Sequence, residues 1–224
     1  MLKPKKNIAK KEIQRDPFLE SVDKAQAHFE DNRKKYTNIG LIAVAVLVGY
    51  NILSNRQTST AAKASAELGI AMTSLDKGDT TTAEFQLETI YNDYSGTQSA
   101  VNAGYFAGKI NYDKNKYDLA KPQMINYTKN SKDKFMYAPA VIILSSIARS
   151  EGKSDEALEF IDDGIKNCYL DKDLNLLEIH KADILIDIGD RSTAKNIIDK
   201  ILEKEGLSAG DKKLAQKLLG RLMT

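Results

Sequence analysis

Apolar residues fall into three successive patterns along this chain. In the first, Phe18, Val22, Ala25 and Phe29 recur at intervals that keep them on one face of a helix. In the second, Ile39 to Leu53 reads IGLIAVAVLVGYNIL, apolar on every side and free of charge. In the third, from about residue 59 onward, apolar residues return every three or four positions, with charged residues between them and Gly or Asn punctuating the runs. The pattern predicts an all-α protein: a short amphipathic helix, one uniformly apolar helix, then a series of amphipathic helices that bury one side each.

The middle run changes the picture most. A helix over Tyr36–Leu53 would be about 27 Å long, close to the roughly 30 Å of a bilayer core. Arg33, Lys34 and Lys35 precede it, and Tyr36 and Tyr50 stand where interfacial aromatics would sit. A buried core helix and a cleaved signal peptide are the competing readings. Against the first, the run lacks the polar face that every later helix has. Against the second, the 38 preceding residues include six acids, and the nearest Ala-x-Ala triplets lie well beyond the run, near Ala62 to Ala66. A transmembrane helix over 36–54 is therefore expected. Residues 1–38 hold ten basic and six acidic side chains, whereas the remainder holds 23 basic and 25 acidic. The basic excess before the span places the N-terminus in the cytoplasm and the rest across the membrane, in a bacterium the periplasm. Residues 1–35 form the basic cytoplasmic segment. In it, Asp16 reads as an N-cap and Pro17 as the first helical residue. The Phe18–Phe29 stripe could lie on lipid, dock on a partner, or continue the spanning helix.

The third pattern repeats. KGDTTTA, KNKYDLA, EGKSDEA and IGDRSTA end at Ala83, Ala120, Ala157 and Ala194, and their turn residues are Gly78, Asn115, Gly152 and Gly189; both series advance by 37 residues. Gly and Asn best tolerate the left-handed conformation that ends a helix abruptly. Asp79, Ser154 and Asp190 would cap the helix that follows. Small residues, Ala71, Gly108, Ser145 and Ala182, stand seven positions before each turn, where two antiparallel helices must approach. The predicted pairs are 59–77 with 80–93, 98–113 with 117–130, 137–151 with 154–168, and 174–188 with 191–205. A capping helix over 209–222 carries Leu214, Leu218, Leu219 and Leu222 on one side. Core candidates are Leu68, Leu75, Leu87, Ile90, Met124, Ile143, Leu144, Ile147, Leu158, Ile161, Ile184, Leu185, Ile198 and Leu202.

This unit resembles the tetratricopeptide repeat, with a small residue on the first helix, Gly at the turn and Ala on the second helix; Gly108, Asn115, Tyr117 and Ala120 match most fully. It departs where the family has a large aromatic early in the first helix, since Glu67, Gly104, Val141 and Glu178 stand there. The 37-residue period exceeds the usual ~34, so longer turns between pairs are expected near 94–96, 131–133, 170–172 and 206–208. The resemblance implies an α-solenoid over 55–224 with repeats at about 59–95, 98–133, 137–170 and 174–206. It also implies a concave groove lined by the first helix of each pair. Candidate groove residues are Met72, Tyr105, Lys109, Tyr112, Arg149 and Ile186, with Tyr105 and Tyr112 equally readable as packing rings. The family's carboxylate clamp is missing, because Leu68, Tyr105, Ile142 and Ile179 occupy its positions.

Catalytic chemistry has no visible seat in the sequence. There is no phosphate loop, nucleophile elbow or paired metal-ligand motif. The lone Cys168 reads as a core thiol, His28 and His180 fall in separate regions, and the repeat region has no basic excess to hold nucleic acid. No cofactor, no metal and no enzymatic activity are expected.

The stretch AQAHFEDNRKKYTNIGLIAVAVLVGYNILSNRQTSTAAKASAELGIAM, with Phe29, Glu30 and Asn32 before the span and an Ala-rich helix after it, resembles the start of the YfgM family. That resemblance implies an inner-membrane accessory subunit of the SecYEG translocon, binding translocon subunits, periplasmic chaperones or emerging polypeptides without making or breaking bonds. A structural adaptor of an envelope assembly machine, or an accessory subunit of another membrane complex, is the alternative.

Overall fold

The computed structural model describes residues 17–168 and 170–223. They form ten α-helices and, among the described residues, no strand. The proposed Asp16 cap lies outside them. The chain divides between Gln57 and Thr58 into two compact units.

The first unit holds α1 (Pro17–Asp31) and the beginning of α2 (Arg33–Asp76). A single turn residue, Asn32, separates the two helices. The α-helical ladder bridges it through Asn32 N to His28 O at 3.2 Å and Tyr36 N to Asn32 O at 3.1 Å, and the Phe29 and Tyr36 rings stack with centroids 5.4 Å apart. Val22 and Phe29 on the predicted stripe are 44% and 55% exposed. Among the described residues α2 is the helix long and apolar enough to cross a membrane; its apolar window has mean hydropathy 1.7, and none of it is buried.

A separate helix starting near residue 59 was expected, but α2 runs unbroken to Asp76. The reason is local. Between Leu53 and Ala71 neither Pro nor a left-handed Gly interrupts the chain, and polar residues such as Asn55 stay helical by pairing along the helix, with Asn55 Nδ2 3.1 Å from Asn51 Oδ1.

In the second unit the end of α2 pairs with α3 (Thr80–Asp93), followed by α4 (Gln98–Asp113) with α5 (Tyr117–Asn130), α6 (Tyr137–Ser150) with α7 (Ser154–Lys166), and α8 (Asp171–Asp187) with α9 (Arg191–Leu202); α10 (Ala209–Met223) follows. From α3 to α10 each helix packs on the next, and the first helices also touch directly, α4 on α6, α6 on α8 and α8 on α10. Sequential pairing with neighbouring first helices is the solenoid arrangement.

The 37-residue punctuation has a direct backbone cause. Gly78, Asn115, Gly152 and Gly189 take φ of 79°, 57°, 75° and 91°. At the first three turns the next residue's N–H reaches back five positions: Asp79 to Ser74, Lys116 to Asn111 and Lys153 to Ala148, at 3.0, 2.8 and 2.9 Å. These bonds satisfy carbonyls that a helix end leaves open. Asp79 and Asp190 then accept hydrogen bonds from Thr82 N and Thr193 N, both at 3.1 Å, and hydrogen bonding from the Thr82 and Thr193 side chains, with these backbone bonds, holds both carboxyls below their usual pKa. Ser154 does not cap. It is the first helical residue of α7, and the cap position belongs to Lys153, which makes no side-chain cap bond. Asp155 and Glu156 instead place negative charge in that first turn, where the helix dipole favours it.

Ala83, Ala120, Ala157 and Ala194 are fully buried, and Ala71, Gly108, Ser145 and Ala182 face them. A Cβ on Gly108 would meet Met124 Cε at 2.9 Å and Gln123 Cβ at 3.1 Å, so the α4–α5 seam is tight there. Ser145 Oγ donates to the Ala157 carbonyl at 3.0 Å, crossing between the two small positions. At Gly104 the missing family aromatic is compensated from outside the first helix. Tyr91 on α3 fills the notch at Gly104, 2.7 Å from where a Cβ would stand, and Val141 enters the notch at Gly164.

Of the predicted core, Leu68, Leu75, Leu158 and Leu202 are half-buried against the clusters, and the other ten are buried. On α10 Leu218 is buried and Leu219 and Leu222 pack half-buried on the last cluster, joined by buried Ala215 and Asp211, while Leu214 is 41% exposed and falls outside the stripe. The helix α8 begins at Asp171 instead of 174, with Asp171 and Asp173 in its first turn. Cys168 is half-buried against the cluster around Ile161 and Leu177.

Candidate protein-binding groove

Because the first helices lie side by side, residues 37 apart on them form rows across one face of the repeat unit. One row is Met72, Lys109, Ser146 and Asp183; the next is Asp76, Asp113, Ser150 and Asp187. The N-terminal half of this face is open to solvent. Among the described residues Lys109 pairs along its own helix, 2.8 Å from Asp113, and Met72 is half-buried. Tyr112 is half-buried, its ring 5.8 Å from that of Tyr117 on α5.

The C-terminal half is closed by charge. Arg149 on α6 reaches Asp183 at 2.9 Å and Asp187, both on α8, and Arg221 on α10 reaches the same two carboxylates, Asp187 at 2.7 Å. Two guanidiniums and two carboxylates thus alternate in a ring that ties three helices together. Burial opposes the charge on Arg149, but Asp183 and Asp187 more than offset it and hold its pKa above the usual value. For Asp187, burial works upward, and the hydrogen bonds from Arg221 and Arg149 prevail and lower its pKa. Planar guanidiniums gripping carboxylates in this way order the geometry more than isolated surface pairs do. Beside the ring, Ile179, His180, Asp183, Leu214 and Arg221 line a hollow of about 350 Å³. Burial lowers the pKa of His180 there.

The six sequence candidates therefore do not form one site. Met72 and Lys109 face the open half. Arg149 is engaged in the ring, and Ile186 packs into the cluster around Ile198 and Ala215. Tyr105 is 5% exposed, its ring 5.0 Å from that of Tyr127 and 5.3 Å from that of Phe106, so it is a core ring and not a groove anchor. Sequence reasoning missed Asp183, Asp187 and Arg221. The four-residue spacing of the two aspartates on α8, one pair downstream of Arg149, was the available signal. Among the described residues no three His, Cys, Asp or Glu side chains gather as metal ligands would.

No curated protein matches the chain. The family model that does match is that of the tetratricopeptide repeat-like domain, over residues 26–221. Stacked helix pairs of this type act as protein-interaction scaffolds, and with nearly its whole length matched, the chain belongs to the tetratricopeptide repeat-like domain family.

Proposed function

We propose that this chain is a membrane-anchored, non-enzymatic scaffold that presents its repeats on the far side of a bacterial inner membrane and binds protein partners there. The observation that carries the reading is the exposed apolar face of α2. Leu41, Ile42, Val46 and Leu47 are 64%, 64%, 63% and 67% exposed, on a helix with no polar side in that stretch. In water so large an exposed apolar surface is unfavourable, at about 25 cal/mol for each Å², and lipid removes that cost. The basic flank orients the N-terminus inward.

The partner reading is an ancillary subunit of a SecYEG-type translocon within a periplasmic chaperone network, as the YfgM resemblance implies. Binding would use the open half of the groove, around Met72, Lys109 and Tyr112. Affinity purification of the full chain in mild detergent, at native expression, tests both parts. Recovery of translocon subunits supports the reading, and recovery only of envelope-assembly proteins replaces it with the adaptor role. Protease added outside spheroplasts should degrade the repeats; protection of residues 58–224 would reverse the orientation.

A further inference from the structure

In the second and third pairs, the first helix is covered by the pair before it: Ala107 on α4 and Leu144 on α6 are 0% and 2% exposed. Their counterpart one period earlier is Ile70 on α2, which is 59% exposed. Phe85 on α3 stands beside it, 73% exposed, at a position that later pairs fill with Pro122, Glu159 and Asn196. Between Ile70 and Phe85 lies an apolar cleft of about 200 Å³, walled also by Gln86, Thr89 and Ile90. We propose that this face is the contact between two copies of the chain, related by a two-fold axis, with the Phe85 of each copy seated in the cleft of the other.

Three features favour a second copy. A two-fold contact needs a patch complementary to itself, and here the protruding ring and the cleft that can receive it are neighbours on one face. Among the residues walling the cleft only Glu67 is ionised, so a duplicate meets little like charge there. Of the ionised residues on α3, Glu84 is bound by Lys114 and Lys116, Glu88 accepts from Asn111 Nδ2 at 3.4 Å, and Asp93 ends the helix; Thr81, Phe85, Thr89 and Asn92 remain outward. The same positions on α7 are Asp155, Glu159, Asp163 and Lys166, where two copies would oppose like charges. Glu67 at the cleft wall accepts the Tyr94 hydroxyl at 2.5 Å. Finally, Ala62, Ala66 and Gly69 are exposed along α2 beside Ile70, and nothing stands within 4 Å of a Cβ placed on Gly69, so another helix can come close.

The test uses the full-length chain in mild detergent with Cys168→Ala as background. Copies carrying Phe85→Cys are mixed with differently tagged copies carrying Ile70→Cys and oxidised. A disulfide-linked product at least about tenfold above that from Glu159→Cys with Ile70→Cys, equivalent to about 1.4 kcal/mol of preference, is expected. In sedimentation the parent chain should be a dimer and Phe85→Glu a monomer of unchanged helicity. Equal yields at positions 85 and 159, a monomeric parent chain, or cross-links from position 85 only to a different polypeptide would each overturn the proposal.

Discussion

The two ends of the repeat stack solve the same problem in opposite ways. A solenoid leaves an uncovered face at each terminus. At the C-terminal end α10 covers it: Ala215 and Leu218 are buried against Ile179, Leu185, Ile198 and Ile201, and Arg221 ties the helix to α8. Arg191 adds hydrogen bonds to the carbonyls of Arg221 and Leu222 at 3.1 and 2.9 Å. At the N-terminal end Ile70 and Phe85 stay in solvent. The difference teaches that exposed apolar surface on this unit is not a general tolerance, since one end is sealed with both apolar and ionic contacts. The bare end is therefore the informative one.

That contrast can be broken by mutation. The largest effect is expected from ending the chain after Glu205, which removes α10 and uncovers the last cluster. The loss should be roughly 3–5 kcal/mol, from several side chains worth about 1.5–3 kcal/mol each less relaxation of the new surface, read as a lower urea midpoint. An unchanged midpoint would show that α10 is not a seal. Leu218→Ala should lose about 2–3 kcal/mol by leaving a cavity. Arg221→Ala should cost about 1 kcal/mol and the loss should shrink in high salt, as a partly exposed ion pair requires. At the other end Ile70→Ser and Phe85→Ser should stay within about 0.5 kcal/mol of the parent chain when measured at dilution.

A pH measurement sharpens the same comparison. His180 has a lowered pKa in the fold, so its neutral form is favoured there. Its contribution is fully present above the unfolded value near 6.5 and is lost as pH falls below it. Asp187 behaves likewise at lower pH, being depressed from 3.8. Stability should therefore decline from neutrality toward pH 5, and His180→Gln should flatten that decline; a slope unchanged by the substitution would assign the effect elsewhere.

How much of this was legible in sequence depended on whether the cause was local. The turns were readable because left-handed φ selects Gly or Asn at the position itself, and the Ala series because close helix approach excludes larger side chains. The cap at Ser154 was misplaced by one residue because Lys153 offers no side-chain acceptor to mark the true position. Asn111 was invisible for another reason: it is wholly buried, and its partner Gln123, 3.0 Å away, lies on the other helix of the pair. The Arg–Asp ring joins residues up to 38 apart, so it does not announce itself in a single window, whereas Tyr105 shares its position with Leu68, Ile142 and Ile179, an apolar series that marks a packing position. The groove was thus read as a row of anchors when half of it is occupied by the chain's own ion pairs.

The filled notches carry a consequence for inheritance. Repetitive coding sequence tends to gain or lose whole units, and an exact 37-residue excision here would keep every turn and every Ala in phase. Yet joining α3 to α6 would set the Tyr91 ring against Val141, which occupies the place of Gly104. The α3–α4 seam is thus fitted to its own neighbour, so shape opposes that excision even though the periodic punctuation alone would permit it.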